Sequence, residues 1–204
     1  MKLYDISQEV FDCTVFPGDP KPQNIKVSDM KDGALYNLTE LHMCAHNGTH
    51  VDAPFHFLKD GKTVEKLDLE KMIGFAYVAE CQGDVTAETA KAILNKAKEA
   101  NEESMKRILI KGEAVVSFEA AEVFAAAAID LLGVELQSVG PEDAPMAVHK
   151  TLLGAEVVLL EGVRLQDVSE GVYFLNAAPI SLAGADGAPC RAVLLDMDLE
   201  NQKY

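Results

Sequence analysis

The segment HNGTHVDAPFH holds three of the chain's five histidines and one aspartate, at positions 46, 50, 52 and 56. On a regular helix His46 and His50 share a face, but Asp52 lies on the opposite side. In an extended segment all even-spaced residues share a face. Four extended residues span roughly 13 Å, however, whereas two ligands of one metal ion lie only a few ångströms apart. The chain therefore has to bend between His46 and His50, where Gly48 allows it.

Imidazole nitrogens and a carboxylate oxygen are the ligand types of Zn, Mn, Fe and Co. Histidine is also the side chain that moves protons most readily near neutral pH. Pro54 excludes helix at the residue before it, so we expect a turn after Asp52 that returns His56 to the same face. A chance meeting of surface or core histidines is the alternative. The spacing, the glycine and the carboxylate favour a divalent-metal site, with Zn or Mn as the expected ion.

A second candidate pair consists of His149 and Glu161. Glu161 follows the apolar run VVLL, where a buried carboxylate is costly unless it is paired or bound to a metal. Taken alone, Glu161 is more typical of a solvated residue at a strand end. His149 alone suits a surface position as well as it suits a metal-ligand position. Together they would supply ligands that the first cluster lacks.

Three further polar residues lie near the first cluster. Thr49 is placed either to bond a ligand or substrate or to satisfy its own turn. His42 fits a structural role, and Cys44 is close enough to tune the metal ligands indirectly. The chain has four widely spaced cysteines without a CxxC pair, which predicts reduced, mostly buried thiols: Cys13, Cys44, Cys81 and Cys190.

The elements that must position these residues alternate between strand and helix in the middle of the chain. Hydrophobic periodicity and end signals predict helices over 86–101, 117–134 and 144–155. Strands are predicted over 35–46, 72–81, 107–112, 135–140, 157–162, 173–182 and 190–199. This order favours an α/β fold with a parallel or mixed sheet. No linker divides the sequence, so we expect one domain over residues 1–204.

Composition limits the partners. With a formal net charge of -15, the chain lacks the clustered Lys and Arg that nucleic acid requires. No apolar run reaches the ~18 residues of a membrane span, and the first residues do not resemble a signal peptide. We therefore expect a cytoplasmic protein whose partner is a small-molecule substrate.

Longer motifs around these residues resemble one known family. HNGTHVDAPFHF is similar to the HxGTHxDxPxHF signature of the cyclase family, which includes bacterial kynurenine formamidase and isatin hydrolase. HKTLLGAEVVLLEGV resembles the second block of that family, GADGAPCRAVLL its closing strand and VFPGDP its N-terminal arm. The resemblance implies an α/β single domain of the swivelling β/β/α type, with a mixed sheet and flanking helices. It also implies a homodimer or homotetramer.

The resemblance further implies a reaction and a role for each site residue. The reaction is hydrolysis of an amide, a formamide or a cyclic amide, with one or two divalent ions per chain. The first ion would be held by His46, His50 and Asp52. Asp52 would bridge to a second ion held by His149 and Glu161. His56 would transfer the proton.

Two functions other than metal-dependent hydrolysis are considered, and the sequence differs from the formamidases in one segment. A non-catalytic protein could use the metal to stabilise its fold or an interface, in which case the coordination sphere is closed. A Ser–His–Asp hydrolase is disfavoured because no GxSxG occurs. The stretch between Gly112 and Ser117 is shorter than in formamidases, and the chain has no Trp. We therefore expect N-formylkynurenine to be a poor substrate.

Overall fold

A nine-stranded mixed sheet forms the centre of the computed structural model, which describes residues 1–197. The helices are α1 (Ala87–Ala100), α2 (Phe118–Ala126) and α3 (Met146–Gly154). The strands up to the second helix are β1 (Lys2–Asp5), β2 (Gln23–Ser28), β3 (Leu38–His42), β4 (His50–Asp52), β5 (Ile73–Glu80), β6 (Gly83–Val85), β7 (Arg107–Lys111) and β8 (Ala114–Val116). The later strands are β9 (Leu131–Val134), β10 (Val158–Glu161), β11 (Gly171–Asn176), β12 (Gly187–Pro189) and β13 (Val193–Asp196).

The strand order in the large sheet is β1-β13-β11-β5-β7-β9-β10-β4-β12. Strands β5, β7, β9 and β10 are parallel, and the strands on either side of them pair antiparallel. Alternate residues of the parallel strands enter two separate cores. Ile108 and Ile110 pack towards the three helices, whereas Leu109 packs on the other face. Burial on both faces explains why these strands are continuous apolar runs. The predicted α/β fold with a mixed sheet and flanking helices is confirmed.

Helix α1 agrees closely with its sequence signals. Thr86 caps it by accepting a hydrogen bond from the Thr89 N–H at 3.2 Å. The apolar positions predicted to share a face are all buried: Ala90, Ile93, Leu94 and Ala97. Ser117 caps α2 in the same way, through the Ala120 N–H.

The predicted helix over 117–134 is wrong in its second half. Helix α2 ends at Ala126, Ala128 turns with a φ of 50°, and the chain then enters β9. The strand expected over 135–140 is thus replaced by an earlier one. Strand β9 lies between β7 and β10 and is fully buried, and an apolar run of that kind has no periodicity to separate it from a buried helix.

Strands β2 and β3 form a separate two-stranded sheet, here called the arm. The strand expected over 35–46 is therefore shorter than predicted, and it is exposed. Apolar side chains of the arm are 36–55% exposed: Ile25, Val27, Leu38 and Leu41. The strands expected over 173–182 and 190–199 are also shorter, and positions 198–199 lie outside the described residues. Within residues 1–197 no helix has the length and apolarity to cross a membrane.

Candidate metal centre

Strand β4 carries His50 and Asp52 and lies between β10 and β12. In its antiparallel pairing with β10, His50 is opposite Glu161 and Asp52 is opposite Leu159. Leu159 packs in the core between the sheet and the helices, so His50 and Asp52 lie on the face of the sheet that the helices cover. His149 reaches the cluster from α3. The expected bend is present, because Gly48 has a φ of 72°, in the left-handed region that favours glycine.

The separations between candidate ligand atoms match those of atoms that share an ion. The Nε2 atom of His50 lies 3.3 Å from Asp52 Oδ1 and 3.4 Å from Glu161 Oε2. The Nε2 atom of His149 lies 3.3 Å from Glu161 Oε1. Two ligands on bonds of about 2.1 Å at a tetrahedral angle are roughly 3.4 Å apart. Glu161 thus directs one oxygen towards each of two histidines, and it is buried rather than solvated at a strand end.

One buried atom tests whether a cation fits here. Asp52 Oδ2 is fully buried and has no hydrogen-bond partner among the described residues. It lies 3.7 Å from His149 Nε2, so it faces the second group of donors. An orphaned carboxylate oxygen inside the protein is costly, and a bound cation removes that cost. The donors form two groups that share Asp52, the first with His46 and His50 and the second with His149 and Glu161. This donor set fits divalent metal ions.

The same contacts keep protons on the histidines when no metal is bound. Burial alone lowers the pKa of His46, but hydrogen bonds to Asp186 and Asp52 outweigh it and raise that pKa to about 11. Burial also lowers the pKa of His50, and Asp52 and Glu161 raise it to about 9. Burial raises the pKa of Asp52, yet the two histidines bring it well below its ordinary value. Without a metal, protons on the His46 and His50 rings therefore supply the positive charge that a divalent ion would otherwise bring to these carboxylates.

His56 lies at the edge of this cluster. The turn expected at Pro54 is present as a 3₁₀ turn over Pro54–His56. It brings the His56 ring back to the cluster, with its centroid 4.2 Å from that of the His46 ring. Its side chain is 27% exposed, in contrast to the nearly inaccessible His50. His56 is not within the two donor groups that share Asp52. It is also more exposed than any donor of those two groups.

Sequence reasoning missed Asp186. Its Oδ2 atom lies 2.8 Å from His46 Nε2 and 3.0 Å from His56 Nδ1. The neighbouring Gly187 pairs with Asp52, because β12 lies beside β4. The segment GADGAPCRAVLL was assigned only as a closing strand. An aspartate followed by a glycine near its start was the available signal, but only the strand order connects it to the histidines.

The three other polar candidates have distinct positions. The Thr49 hydroxyl donates to the Gly162 carbonyl at 2.7 Å, so it connects the histidine segment to the residue that follows Glu161. His42 lies on the arm, bonded to Glu40 and away from the site. Cys44 Sγ accepts the His46 N–H at 3.5 Å. All four cysteines are free, as expected, although only partly buried.

The cluster opens into a cavity of about 350 Å³. Phe16 and Phe57 line it, together with Ser138, whose buried hydroxyl has no hydrogen-bond partner among the described residues. A wider hollow of about 880 Å³ adjoins it and shares Phe16 and Ser138. The short stretch that includes Gly112 borders this hollow. The centre is therefore accessible to a small molecule and is not a closed structural site.

Comparisons with known proteins find similar sequences over most of the chain. The family model described as "Putative cyclase" matches residues 4–141. The kynurenine formamidase of Salinibacter ruber is 34% identical over 212 residues, covering 96% of this chain and 98% of that protein. The kynurenine formamidase of Bacillus mycoides is 36% identical over 201 residues, covering 93% of this chain and 95% of its own length.

Solved structures share the fold over almost the whole chain. A potential metal-dependent hydrolase with cyclase activity superposes with a TM-score of 0.80 at 27% identity, covering 97% of this chain and 98% of that one. An isatin hydrolase bound to the product analogue thioisatinate also gives a TM-score of 0.80, at 19% identity, covering 96% of this chain and 92% of that one. At that identity the isatin hydrolase supports the fold alone.

Proposed function

The chain belongs to the cyclase family and is a hydrolase of C–N bonds other than peptide bonds; we propose that it hydrolyses an amide, a formamide or a cyclic amide at a divalent-metal centre. One observation carries the proposal: two donor groups share Asp52, whose second oxygen is buried without a hydrogen-bond partner within residues 1–197, beside an open cavity. The similarity to kynurenine formamidases over nearly the whole chain supports the reaction class.

His46, His50 and Asp52 would hold one ion, and Asp52 with His149 and Glu161 a second. A bound divalent ion lowers the pKa of water from 15.7 towards about 7 and polarises a carbonyl. The protein's own part is to hold these five donors in place from a turn, two strands and one helix, with all of them buried except the partly exposed His46. Zn and Mn both suit imidazole and carboxylate ligands.

His56 would move the proton. Water adds to the carbonyl carbon and the C–N bond breaks, so one proton has to leave the water and one has to reach the departing nitrogen. His56 lines the cavity, lies beside His46 and stays outside the buried donor groups. General acid–base catalysis of this kind contributes typically 10²–10⁴-fold. A metal that only stabilised the fold would require neither His56 nor the cavity.

The cavity wall indicates how a substrate would be held. Phe16 and Phe57 supply apolar contact, and the buried Ser138 hydroxyl, which has no hydrogen-bond partner among the described residues, would hydrogen-bond a carbonyl or an N–H group. The adjoining hollow accepts a substituent that does not fit beside the donors. The short stretch that includes Gly112 leaves this hollow open and would not cover an aromatic ring bound there. Poor turnover of N-formylkynurenine therefore stays a prediction.

The protein would act as a homodimer or homotetramer. The apolar side chains exposed on the arm support this, since a contact between copies would cover them. Light scattering during size-exclusion chromatography should give two or four times the chain mass. Replacing Val27 and Leu41 with Glu should shift the protein towards the monomer, and a monomeric unaltered protein would contradict the proposal.

Metal analysis followed by a substrate screen tests the function directly. Protein purified without chelator should carry about one to two Zn or Mn ions per chain. It should hydrolyse at least one member of a panel of aryl formamides, lactams and cyclic imides, and His50→Ala should abolish that activity. A protein that neither retains nor takes up Zn or Mn would refute the proposal, as would a metal-loaded protein inactive on every class.

A further inference from the structure

One oxygen of Asp186 joins the two parts of the proposed site. Asp186 Oδ2 lies 2.8 Å from Nε2 of His46, a candidate metal ligand. The same oxygen lies 3.0 Å from Nδ1 of His56, the candidate proton carrier. The other ring nitrogen of His46 faces the metal donors, 2.9 Å from Asp52 Oδ1. The His46 ring is thus held between two carboxylates, one on each side.

Backbone contacts on both sides of Asp186 fix its place beside strand β4. Its carbonyl accepts the Ala53 N–H at 2.9 Å, directly after the strand that carries Asp52. The next residue, Gly187, pairs with Asp52 across the two strands. A Cβ atom at Gly187 would lie 2.8 Å from Cε1 of His46, so the missing side chain leaves room for that ring. Asp186 binds the histidine and Gly187 provides its space.

Hydrogen bonding to a carboxylate decides which ring nitrogen carries the proton in a neutral histidine. Because Asp186 accepts from Nδ1 of His56, the neutral ring keeps its proton there and leaves Nε2 free to accept one. Because Asp186 also accepts from Nε2 of His46, the Nδ1 atom of that ring is left to bind metal. One carboxylate thereby sets the orientation and the proton position of both rings.

We propose that Asp186 is a positioning residue that orients His46 for metal binding and fixes the tautomer of His56. The consequence for catalysis rests on the proposed function, whereas the consequence for the rings does not. A different arrangement is also testable, because His46, His56 and Asp186 together form a third donor group. In that arrangement Asp186 would itself bind an ion.

Nitrogen-15 NMR of the histidine rings in metal-free protein tests the tautomer without any substrate. Spectra of the neutral ring should show the His56 proton on Nδ1, the nitrogen that faces Asp186. Asp186→Ala should move that proton towards Nε2, and Asp186→Glu should retain it at least in part. Asp60→Ala removes the same charge from an exposed loop position and should change nothing. An unaltered His56 tautomer in Asp186→Ala would overturn the proposal.

Metal binding and kinetics test the consequences. Loss of an outer partner of a metal-bound histidine typically costs 10–100-fold in metal affinity or activity. Asp186→Ala should therefore bind Zn 10–100-fold more weakly, with unchanged stoichiometry, and at saturating Zn its kcat should fall while KM changes little. Loss of one whole ion per chain would overturn the positioning role, because Asp186 would then be a ligand. If the protein has no activity on any substrate, the proposed function fails while the NMR and Zn results still decide the role of Asp186.

Discussion

Replacing Asp52 with asparagine should damage both the metal centre and the metal-free protein. Asp52 is fully buried and faces three imidazoles, with His46 Nδ1 at 2.9 Å, His50 Nε2 at 3.3 Å and His149 Nε2 at 3.7 Å. Asparagine has nearly the same shape but no charge. The variant therefore removes the one negative group common to both donor sets and leaves the packing intact.

The size of the effect follows from this burial. Removing one partner of a buried ion pair costs about 3–5 kcal/mol. For a domain of this length each kcal/mol shifts the unfolding midpoint by about 2–4 °C, so metal-free Asp52→Asn should melt about 6–20 °C lower than metal-free unaltered protein. Metal content should fall from about one to two ions per chain to near zero, because both donor groups lose their shared ligand.

Calorimetry of chelator-treated protein and elemental analysis of untreated protein measure the two effects. Asp60→Asn is the charge-matched control at an exposed position and should match the unaltered protein in both assays. Glu161→Gln is the informative comparison. It leaves the group of His46, His50 and Asp52 complete, and the new amide oxygen can still accept the Val139 N–H, now 2.7 Å from the carboxylate. It should therefore retain partial occupancy, and equal metal content in the two variants would refute the bridging role of Asp52.

Three further predictions concern single features of the site. His56→Ala and His56→Gln should keep metal yet lose 10²–10⁴-fold in kcat on a confirmed substrate; complete metal loss would make His56 a ligand. Ser138→Ala should raise KM about two- to tenfold, the worth of one hydrogen bond, in steady-state assays, and an unchanged KM would exclude the contact. With pKa values of about 11 for His46 and about 9 for His50, both rings are protonated at neutral pH, and an ion must displace both protons. Calorimetric Zn affinity should therefore rise up to about a hundredfold per pH unit from 7 to 9, and a flat profile would contradict this.

The first motif was predictable because its constraints are local. The spacing of His46, His50 and Asp52 excludes a helix and requires a bend, and Gly48 provides that bend with a positive φ. The proline turn that returns His56 depends equally on adjacent residues. His149 and Glu161 were identifiable only as a possible pair, because their meeting depends on α3 packing over β10.

The second half of the helix predicted over 117–134 is wrong because local sequence signals do not determine where α2 ends. Residues 118–134 are mostly apolar, and the Ser117 cap marks the start of α2 but nothing comparable marks its end. Strand β9 exists because β7 and β10 bind it on both edges, which is information about distant parts of the chain. Gly133 belongs to that contact, since a Cβ atom there would lie 2.3 Å from Leu109 Cδ2. A close approach between neighbouring strands therefore explains this glycine, which lies near the end of the predicted helix.

The geometry of the centre depends on the two strands that enclose β4. This strand has only three residues, and Val51 between the two ligand candidates points into the core on the other face of the sheet. A slip of one residue in register would bury His50 and Asp52 on that apolar face and turn Val51 towards the cavity. Pairing with β10 and β12 prevents the slip, and those same strands bring Glu161 and Asp186 to the site. The pairings that fix the register of β4 therefore also place Glu161 and Asp186 at the site. For this reason Asp186 could not be recognised before the strand order was known.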